Sequence, residues 1–167
     1  MQAIKFLAVL VAATTEVFAE GGTRRLVVSL ADRKIALFED GRVVKVYPIA
    51  VGKHSTPSPN GSFHIVSRVV KPTYYQPGKV VPAGLRNPLG TRWMGLGYKG
   101  YGIHGTNRPK SIGTAASHGC IRMRNQDVED LFERVEVGDP VDLLTESDAE
   151  LAKALDESPV TAGGGGQ

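Results

Sequence analysis

One cysteine stands in the 167 residues, Cys120, and an internal disulfide framework is thereby excluded, since a single thiol has no partner in its own chain. Tryptophan is equally scarce, and aromatic residues make up only 7 %. No apolar run approaches the roughly 20 residues that span a bilayer; the longest, residues 6–13, holds eight. Acids are nearly missing from the body of the chain. Residues 20–125 contain four (Glu20, Asp32, Glu39 and Asp40) against 17 Lys and Arg, a balance of +13, whereas residues 126–167 stand at −10. What is present, 41 % hydrophobic and 22 % charged residues, suits an ordinary globule and excludes wholesale disorder. The basic body favours anionic ligands. No nucleic-acid module pattern accompanies it, so nucleic acid is not expected as a partner, and an acidic cell-envelope polymer fits the charge.

Lys5, the apolar run after it, and Val17-Phe18-Ala19 before Glu20 have the order of a secretory signal, residues 1–19, cut between Ala19 and Glu20. No cysteine lies near the cut for lipid attachment, so no stable membrane anchor is expected after cleavage. The mature chain is expected in the periplasm or cell envelope. An oxidising compartment makes an idle exposed thiol a liability, and Cys120 therefore calls for a purpose.

The chain reads as mainly β with one principal α-helix. Residues 25–31, 34–39 and 42–51 suggest a three-stranded meander, with turns at Asp32-Arg33 and Asp40-Gly41. Residues 62–70 suggest a further strand, and residues 71–91, rich in proline and glycine, a long irregular excursion. Two short strands, 92–96 and 101–104, flank a Gly-Tyr-Lys-Gly turn. The helix is expected to be capped by Asn125, to bury Val128, Leu131, Phe132 and Val135, and to stop at Gly138-Asp139-Pro140 before a last strand over 141–144. This places one domain at 25–145 and leaves 146–167 as a peripheral helix and flexible tail.

The chemistry gathers in Ile103-His104-Gly105-Thr106 and Ser117-His118-Gly119-Cys120-Ile121-Arg122-Met123. A nucleophilic thiol needs a base, a group that orients the base, and donors for an oxyanion. His104, sixteen residues before Cys120, is the expected base, ahead of His118. No Asp or Glu offers itself as the third member, and the Gly105 carbonyl is the candidate to hold the imidazole tautomer. Gly119 allows a tight turn that would aim the N–H groups of Gly119, Cys120 and His118 at one point. Arg122 suits a substrate carboxylate, or else a structural pairing with the helix acids. Ser117, Trp93 and Tyr101, with Tyr74 and Tyr75, are candidates to line a substrate groove. A zinc site from His104, His118 and Cys120 is the rival reading, against which stands the unusual His-x-Cys spacing.

These two segments resemble the signature of the L,D-transpeptidases, the penicillin-insensitive enzymes that cross-link peptidoglycan: a His, a gap, then Ser/Thr-His-Gly-Cys, an apolar residue and Arg or Asn. Leu26–Lys53 resembles the family's opening meander, Thr56-Pro-Ser-Pro-Asn-Gly-Ser-Phe63 its Thr-Pro-x-Pro-x-Gly-x-Phe loop, and Gly138-Asp-Pro-Val141 its closing strand, so the resemblance spans about residues 25–144. It implies a β-sandwich-like catalytic domain without metal or organic cofactor. Cys120 would be the acyl-accepting nucleophile and His104 the proton acceptor and donor, acting on peptidoglycan stem peptides with release of D-alanine. The acceptor it implies is a neighbouring stem amine, with a lipoprotein lysine or water as alternatives. Water would make the chain a carboxypeptidase or endopeptidase, and a non-catalytic wall-binding module is the remaining reading.

Overall fold

The computed structural model describes residues 23–98, 100–146 and 152. The expected signal and, apart from Glu146 and Ala152, the expected peripheral helix and tail lie outside them. In chain order the strands are β1 (Arg24–Ser29), β2 (Lys34–Glu39), β3 (Arg42–Pro48), β4 (Val51–Gly52), β5 (Gly61–His64), β6 (Ser67–Val70), β7 (Tyr74–Gln76), β8 (Lys79–Val81), β9 (Arg92–Gly95), β10 (Gly102–His104), β11 (Ala115–Ser117) and β12 (Ile121–Arg122). The helix α1 (Asn125–Arg134) and the last strand, β13 (Pro140–Leu144), complete the order.

The fold is mainly β, as expected, and its two principal sheets stack face to face. The first runs β3-β2-β1-β13-β5, the second β12-β10-β9-β6. Period-two alternation decides the packing. Leu26, Val28, Ile35 and Leu37 point inward from the meander and are fully buried, and Met94 and Ile103 answer from the second sheet. Asp40 and Gly41 both take positive φ, 51° and 75°, the backbone that a two-residue hairpin needs to follow the strand twist. β13 inserts beside β1 in parallel, so the end of the domain completes the middle of its first sheet.

Three expected elements divide differently. The strand expected over 42–51 breaks after Pro48: the chain leaves the meander, Ala50 bridges to Arg122, and β4 pairs in parallel with β11. The strand expected over 62–70 is two, β5 in the first sheet and β6 in the second, with buried Ile65 at the crossing. Strands that change sheets at a corner close the ends of a sandwich. The excursion expected over 71–91 holds a hairpin, β7 and β8, turning through Pro77-Gly78 with Gly78 at φ 73°.

The helix α1 follows Arg124, which makes no side-chain cap bond, so the expected capping by Asn125 does not occur. Burial of Val128, Leu131 and Phe132 fixes it against β9 and β10. The first sheet reaches it through Tyr47, whose hydroxyl donates to Asp130 at 2.6 Å beside Lys45 at 2.7 Å. Burial and the Asp130 charge hold the Tyr47 hydroxyl protonated, well above its ordinary range. Tyr47→Phe is expected to lower stability by about 1–2 kcal/mol, since it removes one charge-assisted bond and leaves the ring packing intact. Urea unfolding measures this, and an unchanged midpoint would assign the bond no net contribution.

Candidate active site

The parallel pairing of β10 with β12 sets Ile103 opposite Ile121 and His104 opposite Arg122. Alternation then sorts the two strands. Ile103, Ile121 and Met123 go down into the core, fully buried, while His104 and Arg122 share the other face. Cys120, two residues before Arg122, falls on that same face, and the three side chains line one cavity of about 720 Å³. The sixteen-residue interval seen in the sequence is the crossover that two adjacent parallel strands require.

His104 is 4 % exposed, and its Nδ1 lies 2.6 Å from the Gly105 carbonyl oxygen. A carbonyl only accepts, so the imidazole proton is on Nδ1 and Nε2 keeps its lone pair. Trp93, opposite His104 in β9, stacks on the ring with centroids 5.7 Å apart and planes 21° apart. Burial lowers the imidazole to about 4; the bond to Gly105 works against this and the Arg122 charge with it. Burial also raises the Cys120 thiol, partly offset by the Gly102 N–H and by Arg122. The resting pair is therefore neutral at pH 7. The thiol proton is directed at the Gly100 carbonyl, 3.5 Å away, so the sulfur must turn toward the imidazole to react.

The segment before Cys120 is braced from behind by the Pro-rich loop. Gly52 N–H donates to Ser58 Oγ, while Lys53 N–H and Thr56 Oγ1–H both donate to the Ser117 carbonyl. The Ser117 hydroxyl is 1 % exposed as a residue, donates to the Cys120 carbonyl at 2.6 Å and accepts the Gly119 N–H at 3.0 Å. Two expectations change here. Ser117 borders the cavity, but its hydroxyl holds the loop together rather than facing a ligand. The Gly119 N–H is committed to that hydroxyl, which leaves the N–H groups of His118 and Cys120, unpartnered among the described residues, as the candidate oxyanion donors.

The other expected residues divide. Trp93, His118, Tyr74 and Tyr75 line the cavity, the tyrosines from β7 of the β7–β8 hairpin. Tyr101 does not: its ring lies against Gly119 and tilts over Tyr98 at 5.1 Å, bracing the loop. Arg122 lines the cavity half-buried, with its Nε unpartnered, while the helix acids Asp130 and Glu129 pair with Lys45, Arg134 and Arg92. Among the described residues no three His, Cys, Asp or Glu side chains converge to hold a metal ion. Two residues that sequence reading left aside shape the site. Asn87, fully buried, donates from Nδ2 to the carbonyls of Pro72, Val81 and Pro82 and ties the base of the hairpin. Lys71 adds a cation to the cavity wall. An asparagine among prolines was the available signal for the first.

Residues 23–143 match the family described as YkuD, the L,D-transpeptidase catalytic domain. The chain is 48 % identical over 119 residues to a Bacillus licheniformis protein named L,D-transpeptidase YkuD, covering 71 % of this chain and 64 % of that one. It is 38 % identical over 130 residues to Bacillus subtilis YqjB, also named an L,D-transpeptidase, covering 75 % of this chain and 73 % of that one. Among solved structures, the catalytic domain of an E. faecium L,D-transpeptidase aligns with a TM-score of 0.60 at 28 % identity, over 72 % of this chain and 96 % of that one. The chain thus spans less than two thirds of the YkuD relative's length and nearly all of a solved catalytic domain.

Proposed function

Because the chain belongs to the L,D-transpeptidase catalytic-domain family, we propose that it is exported and remodels peptidoglycan by acyl transfer from tetrapeptide stems through Cys120. The thiol attacks the carbonyl of the third stem residue as His104 Nε2 takes its proton. The carbonyl electrons collapse back, the C–N bond to the terminal D-alanine breaks, and the imidazolium returns the proton to the leaving amine. A stem amine then attacks the thioester and gives a proton to His104; a new amide bond forms as the C–S bond breaks, and the imidazolium returns the proton to the departing sulfur, restoring the neutral pair. The N–H groups of His118 and Cys120 receive the oxyanion in both steps. The observation that carries this reading is the sharing of one sheet face and one cavity by Cys120, Arg122 and His104, the last with its proton fixed on Nδ1.

Arg122 and Lys71 supply the cavity's positive charge, which suits the carboxylates of a stem peptide. Arg122→Gln is expected to raise KM for a tetrapeptide donor about tenfold and to change kcat little, because a carboxylate away from the scissile bond is bound equally in ground and transition states. Steady-state kinetics separates the two parameters, and a fall in kcat alone would remove Arg122 from substrate binding. The hairpin serves as a lid that limits water at the thioester.

Mass spectrometry of the protein incubated with disaccharide-tetrapeptide tests the whole. The expected product is a dimer cross-linked between two third residues, with D-alanine lost. Tripeptide alone would make water the acceptor, and no product at all would overturn the catalytic reading.

A further inference from the structure

Asn125 begins α1 but does not cap it; its side-chain oxygen instead accepts the Thr106 N–H at 3.0 Å. That N–H and the Gly105 carbonyl, which takes the His104 proton at 2.6 Å, are the two ends of one peptide group. A peptide group is planar, so an acceptor fixed on its N–H side fixes the direction of its carbonyl. The packing around this plane leaves it little room. A Cβ at Gly90, where φ is 64°, would collide with Asn125 Oδ1, with Thr106 N and with the Gly105 carbonyl carbon, and a Cβ at Gly105 would collide with the same Asn125 oxygen. Two glycines thus admit the asparagine to one edge of the plane, while His104 holds the other. Thr106 is 3 % exposed, so without Asn125 its N–H would be a buried donor lacking a partner.

We propose that Asn125 is a positioning residue for His104, acting through the Gly105–Thr106 peptide. Its carbonyl polarises that peptide, which strengthens the Gly105 oxygen as an acceptor and holds the imidazole proton on Nδ1. Nε2 is thereby kept as the lone pair that receives the thiol proton. Among the described residues no acid stands beside His104, and the orienting role that an acid would fill is carried by a side-chain amide relayed through the backbone. The inference rests on the reading of His104 as the base for Cys120.

The test compares the full-length protein with Asn125→Leu and Asn125→Asp. Histidine nitrogen NMR reads the tautomer, iodoacetamide reads the thiol across pH, and steady-state kinetics reads kcat and KM. Asn125→Leu is expected to lower kcat 10–100-fold, to leave KM within about threefold, and to shift part of the His104 signal to the Nε2–H tautomer. Asn125→Asp keeps an acceptor for Thr106, so it is expected to restore kcat to within about fivefold and to move the His104 titration upward from about 4. A folded Asn125→Leu protein with wild-type tautomer and kcat would overturn the proposal. So would an aspartate variant no better than leucine. If the leucine variant fails to fold, the aspartate variant decides: an unmoved His104 titration overturns the proposal and an upward shift supports it. The tautomer and alkylation readings use no wall substrate, so a protein inactive on stem peptides would count against the substrate reading and leave this one standing on its own data.

Discussion

With Cys120 replaced by alanine, release of D-alanine from disaccharide-tetrapeptide is expected to fall at least about 10⁴-fold, to the uncatalysed background. His104→Gln is expected to lose about 10²–10⁴-fold, the usual span for a positioned base. The two act on one proton and one bond, so the double variant is expected to be no worse than Cys120→Ala alone. Product mass spectrometry and a D-alanine assay measure all three. A Cys120→Ala protein that kept half the wild-type rate would mean that Cys120 is not the nucleophile and that another group of the chain carries the chemistry.

The same pair carries a pH signature. With the thiol raised and the imidazole lowered to about 4, neither group is charged near neutrality. The ultraviolet thiolate band should be absent at neutral pH and should rise only above the ordinary thiol range of about 8.5. A thiolate already present at pH 6 would mean a preformed ion pair and a different resting site. Stability follows the histidine in a definite direction. Unfolded His104 binds its proton near 6.5 and folded His104 only near 4, so the unfolded state holds the extra proton between those values. The stability linked to this site is present above about 6.5 and declines as pH falls toward 4, and His104→Gln should flatten that part of the curve.

What was legible in the sequence follows from how local each signal is. Cys120-Ile121-Arg122-Met123 displays its two faces by alternation, and His104-Gly105 carries its own tautomer-fixing carbonyl, so the reactive pair could be read without a fold. The pairing that brings them together could not. β10 meets β12, and β1 meets β13, in parallel across long intervals, and no residue near either strand records its partner. The breaks after Pro48 and at Ile65 were hidden for a related reason: apolar residues continue through both corners, and a period of two does not mark a change of sheet. The β7–β8 hairpin had a local sign, Gln76-Pro77-Gly78-Lys79, that was submerged among the surrounding prolines. Asn125 stands where a cap belongs by propensity, but the buried Thr106 N–H was the stronger claimant, because an orphaned donor inside the protein costs more than an uncapped helix end exposed to water.

Gly119→Ala is expected to cost about 10²–10³ in kcat, comparable to the loss of an oxyanion donor, although it removes no functional group. Gly119 takes φ 112°, a backbone that L residues rarely adopt, and its added methyl would collide with the Tyr101 ring and meet the Pro57 carbonyl oxygen at 3.2 Å. Tyr101 is held against Tyr98 and Pro57 belongs to the loop that braces Ser117, so the backbone of residues 118–120 must give way instead. Moving it displaces the Cys120 N–H and the sulfur together. Gly113 supplies the control within the same crossover: it has φ 88° and nothing within 4 Å of an added Cβ, so Gly113→Ala bears backbone strain without collision. Both variants are expected to lose stability by about 1–3 kcal/mol from strain, and only Gly119→Ala to lose turnover. Tyr101→Ala combined with Gly119→Ala would relieve the ring contact but leave the φ strain, so kcat should recover in part and stability remain lowered. A Gly119→Ala enzyme with wild-type kcat would mean that the amides of this loop do not hold the oxyanion, and the donors would have to be sought on the hairpin side of the cavity.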